Sequence, residues 1–229
     1  MRILVLTGAG VSAESGLGTF RDAGGLWARH DLADLATPEG FARNPALVHD
    51  FYNARRADAR AAAPNAAHRA LAALAEGGGD AVTLVTQNID DLHERAGARD
   101  VIHVHGAINR ACCAACGHRW DAPAVMHPAD PCPACAAPAT RPDVVWFGEM
   151  PRHMDRIEAA LAACDLFVAI GTSGSVWPAA GFVDLARSAG ARTLEINLAP
   201  SDRAGAFDDR LLGPATQAVP AWVASLGRL

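Results

Sequence analysis

Apolar and polar positions alternate along the chain in two periods. Short, mostly apolar runs at Ile3–Leu6, Ala81–Thr86, Val101–His105, Leu166–Ile170 and Thr193–Leu198 are separated by longer polar or amphipathic stretches. Apolar runs of this length predict strands of a parallel sheet covered on both faces. The stretches between them carry helix signals. Asn44-Pro45 offers an N-cap followed by a first-turn proline and predicts a helix to about Ala62. Pro64-Asn65 predicts a second, ending at Gly77-Gly78-Gly79. A helix from about Pro178 to Ala189 and a short closing one from Pro220 to Leu226 complete the pattern. The predicted fold is α/β, a Rossmann-like doubly wound parallel sheet with a helical insertion and a small metal-binding module. It is read as one domain: 1–27, 68–106 and 148–229 form the sheet part, 28–67 the helical insertion and 107–147, which holds five of the six cysteines, the zinc module.

The glycine pattern gives the first strand a chemistry. Gly8, Gly10 and Ala13 follow it in a G-x-G-x-x-A spacing, which permits a tight turn and lets a diphosphate approach backbone amides at a helix start. An ordinary dehydrogenase would continue with a helix, a second strand and an acidic residue for the ribose. Here Gly16 and Gly18 cut the helix short, a polar loop Thr19-Phe20-Arg21-Asp22 follows, and no β-branched strand precedes residue 81. A dinucleotide held under a folded-over loop is the expectation.

Composition narrows the partners. The chain has 229 residues, half of them apolar, and a formal charge of −5. All 20 basic residues are arginine and they are not clustered, which argues against a nucleic-acid surface. The apolar start is too short for a signal peptide and nothing approaches a membrane span. A cytoplasmic, reducing location is expected, so paired cysteines read as metal ligands. Cys113-x2-Cys116-x15-Cys132-x2-Cys135 has zinc-ribbon spacing. Four thiolates leave no open position, so one structural zinc is expected. Cys112 could replace Cys113 only by accepting a three-residue gap, and Cys164 reads as an inert core thiol.

Polar groups at carboxyl ends of strands face the ligand crevice of such sheets. Gln87, Asn88 and Asp90 follow one strand and could bind amide and hydroxyl groups, or serve only as a turn and cap. His103 and His105 share a face of the next, with His105 at its end beside Gly106, where a histidine suits a general base.

These residues together resemble the sirtuins. The resemblance rests on Gly8 to Gly16 with Thr19 to Asp22, Thr86-Gln-Asn-Ile-Asp90, His105-Gly106, both cysteine pairs, Trp146-Phe-Gly-Glu149, Gly171-Thr-Ser173 and Glu195-Ile-Asn197, in family order over nearly the whole chain. It implies an NAD-dependent protein-lysine deacylase acting on acyl-lysine proteins or peptides, with no nucleic-acid or membrane partner and a monomeric state. It implies His105 as catalytic base. For the cofactor it implies Gly8, Ala9, Gly10, Ser12, Glu14, Thr19, Phe20, Arg21, Trp27, Gln87, Asn88, Ile89, Asp90, Gly171, Thr172, Ser173, Asn197, Leu198 and Ala215. Val145, Phe147, Gly148 and Glu149 match the strand that pairs with a substrate peptide. Asp91, Trp177 and Ala199 depart from the family's usual residues.

Tyr52 and Arg55 are three apart on the predicted helix and share a face. By pattern alone Arg55 reads as a solvated rim residue alongside Arg56. The resemblance, to the class III sirtuins that remove succinyl and malonyl groups, instead implies that Tyr52 and Arg55 hold an acyl carboxylate. It leaves Arg56 on the rim, with an Arg56→Met variant close to wild type. The implied products are free lysine, nicotinamide and O-acyl-ADP-ribose. An ADP-ribosyltransferase and a non-catalytic NAD or ADP-ribose sensor are the alternatives.

Overall fold

The computed structural model describes residues 1–18, 31–77, 79 and 81–226. Nine strands occur among them: β1 (Arg2–Thr7), β2 (Ala81–Thr86), β3 (Ile102–His103), β4 (Gly106–Cys113), β5 (Arg119–Asp121), β6 (Thr140–Val144), β7 (Leu166–Ile170), β8 (Arg192–Asn197) and β9 (Asp209–Leu212). Six form one parallel sheet in the order β3-β2-β1-β7-β8-β9. The order reverses between β1 and β7, which is where a doubly wound sheet opens its ligand crevice.

Residues of β1 alternate between two cores. Ile3 and Val5 pack with Leu71 of helix α4 (Ala66–Glu76) and with Val219 and Trp222 of helix α8 (Ala215–Leu226). Leu4 and Leu6 pack with Ile157 and Leu161 of helix α6 (Met154–Ala163) and with Phe182 and Val183 of helix α7 (Phe182–Ser188). A strand buried on both faces needs no polar alternation, which accounts for its unbroken apolar run.

The helical part holds α1 (Leu32–Leu35), α2 (Pro38–Arg43) and α3 (Pro45–Ala61). Asn44 caps α3 by accepting from Leu47 N, with Pro45 at its first position, as the sequence predicts. Val48, Phe51 and Tyr52 of α3 pack on Ile108 and Val144 and on Trp146. A separate antiparallel sheet, β5-β4-β6, replaces the broken pattern of residues 106 to 147.

The structure corrects several boundaries. The expected strand Val101–His105 is only Ile102–His103, because this edge strand pairs on one side and Gly106, at φ +79°, turns the chain away. The helix after Gly10 is replaced by two 3-10 turns, Ala9–Val11 and Ala13–Ser15. The closing helix starts at Ala215, with Pro220 inside it. The helix expected from Pro178 opens with a 3-10 turn before α7. Arg56 is not on the rim. It is 1% exposed, donating to Ile108 O (2.9 Å) and to Asn53 Oδ1 (2.8 Å). Among the described residues no helix is long and apolar enough to cross a membrane.

Candidate active site

The glycine strip lies at the switch point. Gly8 N donates to Ile170 O and Gly10 N to Gly171 O, each at 2.9 Å. A Cβ on Gly10 would lie 2.7 Å from Gly171 Cα, and one on Gly8 2.8 Å from Gly171 O. Gly171 itself has φ +63°. The glycines therefore permit two crossover loops to interlock backbone to backbone. The Gly8 and Gly10 amides are themselves taken by the neighbouring strand end. Asn197, after β8, donates through Nδ2 to Thr172 O (2.7 Å) and joins the third strand end to this cluster.

A buried polar network lies beneath the strip. Asn88 Nδ2 donates to Gly8 O (3.2 Å) and to Ser12 Oγ (3.1 Å), and Ser12 Oγ donates to Asp90 Oδ2 (3.1 Å). His68 Nδ1 accepts from Asn65 N (3.3 Å), so its proton is on Nε2, which faces Ser12 Oγ at 3.3 Å. His93 Nε2 lies 3.0 Å from Thr7 Oγ1, and Thr7 donates to Thr86 Oγ1 (2.9 Å). Thr86 Oγ1 in turn accepts from Asn88 N (3.0 Å). Burial pulls His68 down to about 4 and His93 to about 3, so both are neutral at physiological pH. Burial raises Asp90. Ser12, Asn88 and Asp90 thus hold the loop from below. His68 and His93 were missed in the sequence. The signal for His68 was present, since it is the third residue after the Asn65 cap and completes a capping box.

The two histidines after β2 differ in their partners. His105 Nδ1 faces Gln87 O at 3.1 Å. A carbonyl only accepts, so Nδ1 carries the proton and Nε2 keeps its lone pair in the neutral ring. Burial lowers the His105 pKa, outweighing the Gln87 hydrogen bond. His103 places Nδ1 against Asn88 O (3.1 Å) and Nε2 against Glu94 Oε1 (2.6 Å). Burial alone would lower it, but the Glu94 hydrogen bond and charge prevail and raise it. His103 is thus engaged at both nitrogens, whereas His105 offers a base.

Opposite this strand end, the segment after β6 makes a turn where the sequence expects a peptide-pairing strand. Val145 N donates to His105 O (2.8 Å), Phe147 N to Ala36 O (2.9 Å) and Glu149 N to Trp146 O (3.0 Å). The Glu149 carboxylate is held by Arg141, at 2.6 and 2.9 Å, and accepts from Trp146 N (2.9 Å). Tyr52 is buried on α3, and its hydroxyl accepts from Trp146 Nε1 (2.9 Å). Burial pushes the phenol up to about 12 and lowers Arg55, one turn on, whose guanidinium carbon lies 5.8 Å from the Phe51 ring centroid.

Of the remaining expected cofactor residues, Gln87 and Ile89 lie with Asn88 in the loop after β2, and Ser173 in the loop after β7. Leu198 is exposed beyond β8. Glu14 accepts from Thr216 N (2.9 Å) and Thr216 Oγ1 (2.6 Å), which ties the glycine strip to the start of α8 beside Ala215. All these lie at the carboxyl edge of the sheet. Thr19, Phe20, Arg21 and Trp27 lie outside the described residues.

The four cysteine sulfurs lie within 4.8 Å of one another, with Cys113–Cys135 and Cys116–Cys132 at 3.7 Å. A tetrahedral zinc at about 2.3 Å from each sulfur requires edges of about 3.8 Å. The donor set fits one structural zinc. Cys112 is turned away, toward Pro142 O.

A sequence model of the Sir2 family matches residues 8–178. The NAD-dependent protein deacylase of Caulobacter vibrioides is 59% identical over 231 residues, covering 99% of this chain and 97% of that protein. The chain belongs to the Sir2 family. The NAD-dependent protein deacylase of Escherichia coli K12 is 54% identical over 228 residues, covering 98% of this chain and 82% of that one. A solved complex of a Sir2 homologue with NAD superimposes with a TM-score of 0.91 at 38% identity, over 99% of this chain and 89% of that chain. Two departures from the Sir2 pattern are structurally at ease. Asp91 has φ −107°, where glycine is not needed, and it begins helix α5 (Leu92–Arg95). Trp177 lays its ring over Gly181, where a Cβ would meet it at 2.7 Å. Nothing in the structure explains Ala199.

Proposed function

We propose that this chain is an NAD-dependent protein-lysine deacylase that removes succinyl and malonyl groups, and acetyl groups less readily, from lysine side chains. Family membership supports the deacylase reading. The observation that carries the acyl preference is the pairing of Tyr52 and Arg55, a phenol and a guanidinium one turn apart on α3, both desolvated. A guanidinium pairs with a carboxylate through charge-assisted hydrogen bonds, and a dicarboxylic acyl chain would bring that carboxylate.

NAD supplies the electrophilic ribose carbon and the hydroxyl that carries the acyl group away. The residues of this chain supply placement and proton transfer. The interlocked strand ends at Gly8, Gly10 and Gly171 fix the crevice floor. His105 would take a proton at Nε2, the nitrogen left unprotonated by the Gln87 hydrogen bond. The Val145 N–H to His105 O bond ties the base to the turn that would receive the peptide.

The test is kcat/KM on succinyl-, malonyl- and acetyl-lysine forms of one peptide, for wild type and Arg55→Met. A charge-assisted hydrogen bond contributes about 1.5–3 kcal/mol, so the variant should raise the desuccinylation KM by about 10–150-fold. Acetyl turnover should change far less, reversing the preference. Equal losses on all peptides would leave Arg55 a structural residue. Label from NAD remaining on the peptide would favour ADP-ribosyl transfer.

A further inference from the structure

Trp146 lies inside the turn that would receive the peptide, yet its side chain faces away from solvent and is 2% exposed. Its indole Nε1 donates to the Tyr52 hydroxyl at 2.9 Å. The Arg141 guanidinium carbon lies 3.5 Å from the indole ring centroid, and Phe41 packs at 5.2 Å. Arg141 also grips both oxygens of Glu149, and Glu149 accepts from the backbone N–H of Trp146. The indole is thus fixed at its ring and at its backbone.

That fixation has a directional consequence. An indole N–H donates and never accepts. The Tyr52 oxygen must be the acceptor in this pair, so its own proton has to be given to a different group. Without the indole, the hydroxyl proton could turn toward the space the indole N–H had filled, and a phenol whose proton points elsewhere offers a carboxylate only its lone pairs.

We propose that Trp146 is a positioning residue for acyl choice, which occupies the Tyr52 hydroxyl as an acceptor and so commits its proton to the carboxylate of a succinyl or malonyl chain. This rests on the reading of Tyr52 and Arg55 as the carboxylate site. Trp146 touches no reacting atom and acts only through Tyr52.

Trp146→Phe keeps an aromatic ring against Arg141 and Phe41 and deletes the N–H. The loss of one neutral hydrogen bond corresponds to about 2–13-fold. The KM for a succinyl peptide should rise by that factor relative to the KM for the acetyl peptide, with the difference lying in KM rather than in kcat. In a Tyr52→Phe background the same change should have no further effect, as expected of two groups acting as a unit. Should the phenylalanine variant fold poorly by thermal melting, benzothienylalanine at 146 replaces the N–H by sulfur in a ring of nearly the same shape. It should give the same succinyl-specific loss. Equal losses on succinyl and acetyl peptides, or additive losses with Tyr52→Phe, would overturn the proposal. A wild-type enzyme with no succinyl preference, or an Arg55→Met variant that keeps it, would instead overturn the underlying carboxylate reading. A strong wild-type preference abolished by Arg55→Met but untouched at Trp146 would overturn the role of Trp146 alone.

Discussion

His105 and His103 are two residues apart and share a residue type, yet the structure gives them opposite protonation tendencies. The difference comes from one neighbour. Glu94 sits 2.6 Å from His103 Nε2, while burial governs His105. His105→Ala should lower deacylation by about 10²–10⁴ while NAD binding, measured by calorimetry, stays close to wild type. His103→Ala should cost much less. Because the His105 pKa is shifted down, its neutral form persists below the ordinary imidazole range. The acid limb of kcat/KM against pH should therefore inflect below 6.5. An inflection above 6.5, or near-normal turnover in His105→Ala, would place the base elsewhere. His105 could be picked from the sequence by its strand-end position and its glycine neighbour. Its tautomer could not, because Gln87 O is set by the path of a different loop.

Helix α3 shows how far an element can be read in advance and where reading stops. Its start, its length and the shared face of Tyr52 and Arg55 followed from the Asn44-Pro45 cap and a period of 3.6. That Arg56 is buried did not, because helix period cannot report what packs from another part of the chain. Arg56 donates to Ile108 O on β4 and bonds Asn53, which accepts from Met126 N. It joins α3 to the cysteine-bearing sheet. Arg56→Met, far from being silent, should lower stability by about 1–3 kcal/mol, since it takes the donor from the buried Ile108 carbonyl. The urea midpoint reads this, and the ratio of succinyl to acetyl turnover should not move. The edge strand β9 was invisible for a related reason. Asp209, Arg210, Leu211 and Leu212 are all exposed and show no alternation, so only pairing with β8 makes them a strand. Pro220 read as a helix start because prolines favour first turns, yet it sits mid-helix in α8.

At the scale of the molecule, two neutral histidines under the crevice make stability depend on pH. The unfolded chain titrates near 6.5, whereas His68 and His93 titrate near 4 and 3 when folded. The unfolded state therefore binds more protons below 6.5, and stability falls on acidification. Each histidine contributes about 1.4 kcal/mol per pH unit between about 6 and 4.5. His103, shifted the other way, opposes part of this. His93→Gln, which can still donate to Thr7, should flatten the slope of unfolding free energy against pH by about 1.4 kcal/mol per unit. An unchanged slope would mean that His93 is protonated in the fold. The order of strands has a consequence of another kind. β1 is made first but lies in the middle, and its neighbour β7 begins about 160 residues later. At about 5–20 residues per second, a ribosome needs roughly 8–30 seconds to cover that distance. For that interval Ile3 to Leu6 have no β7 to pair with, so this apolar segment stays open to wrong pairings until the second half of the sheet is made.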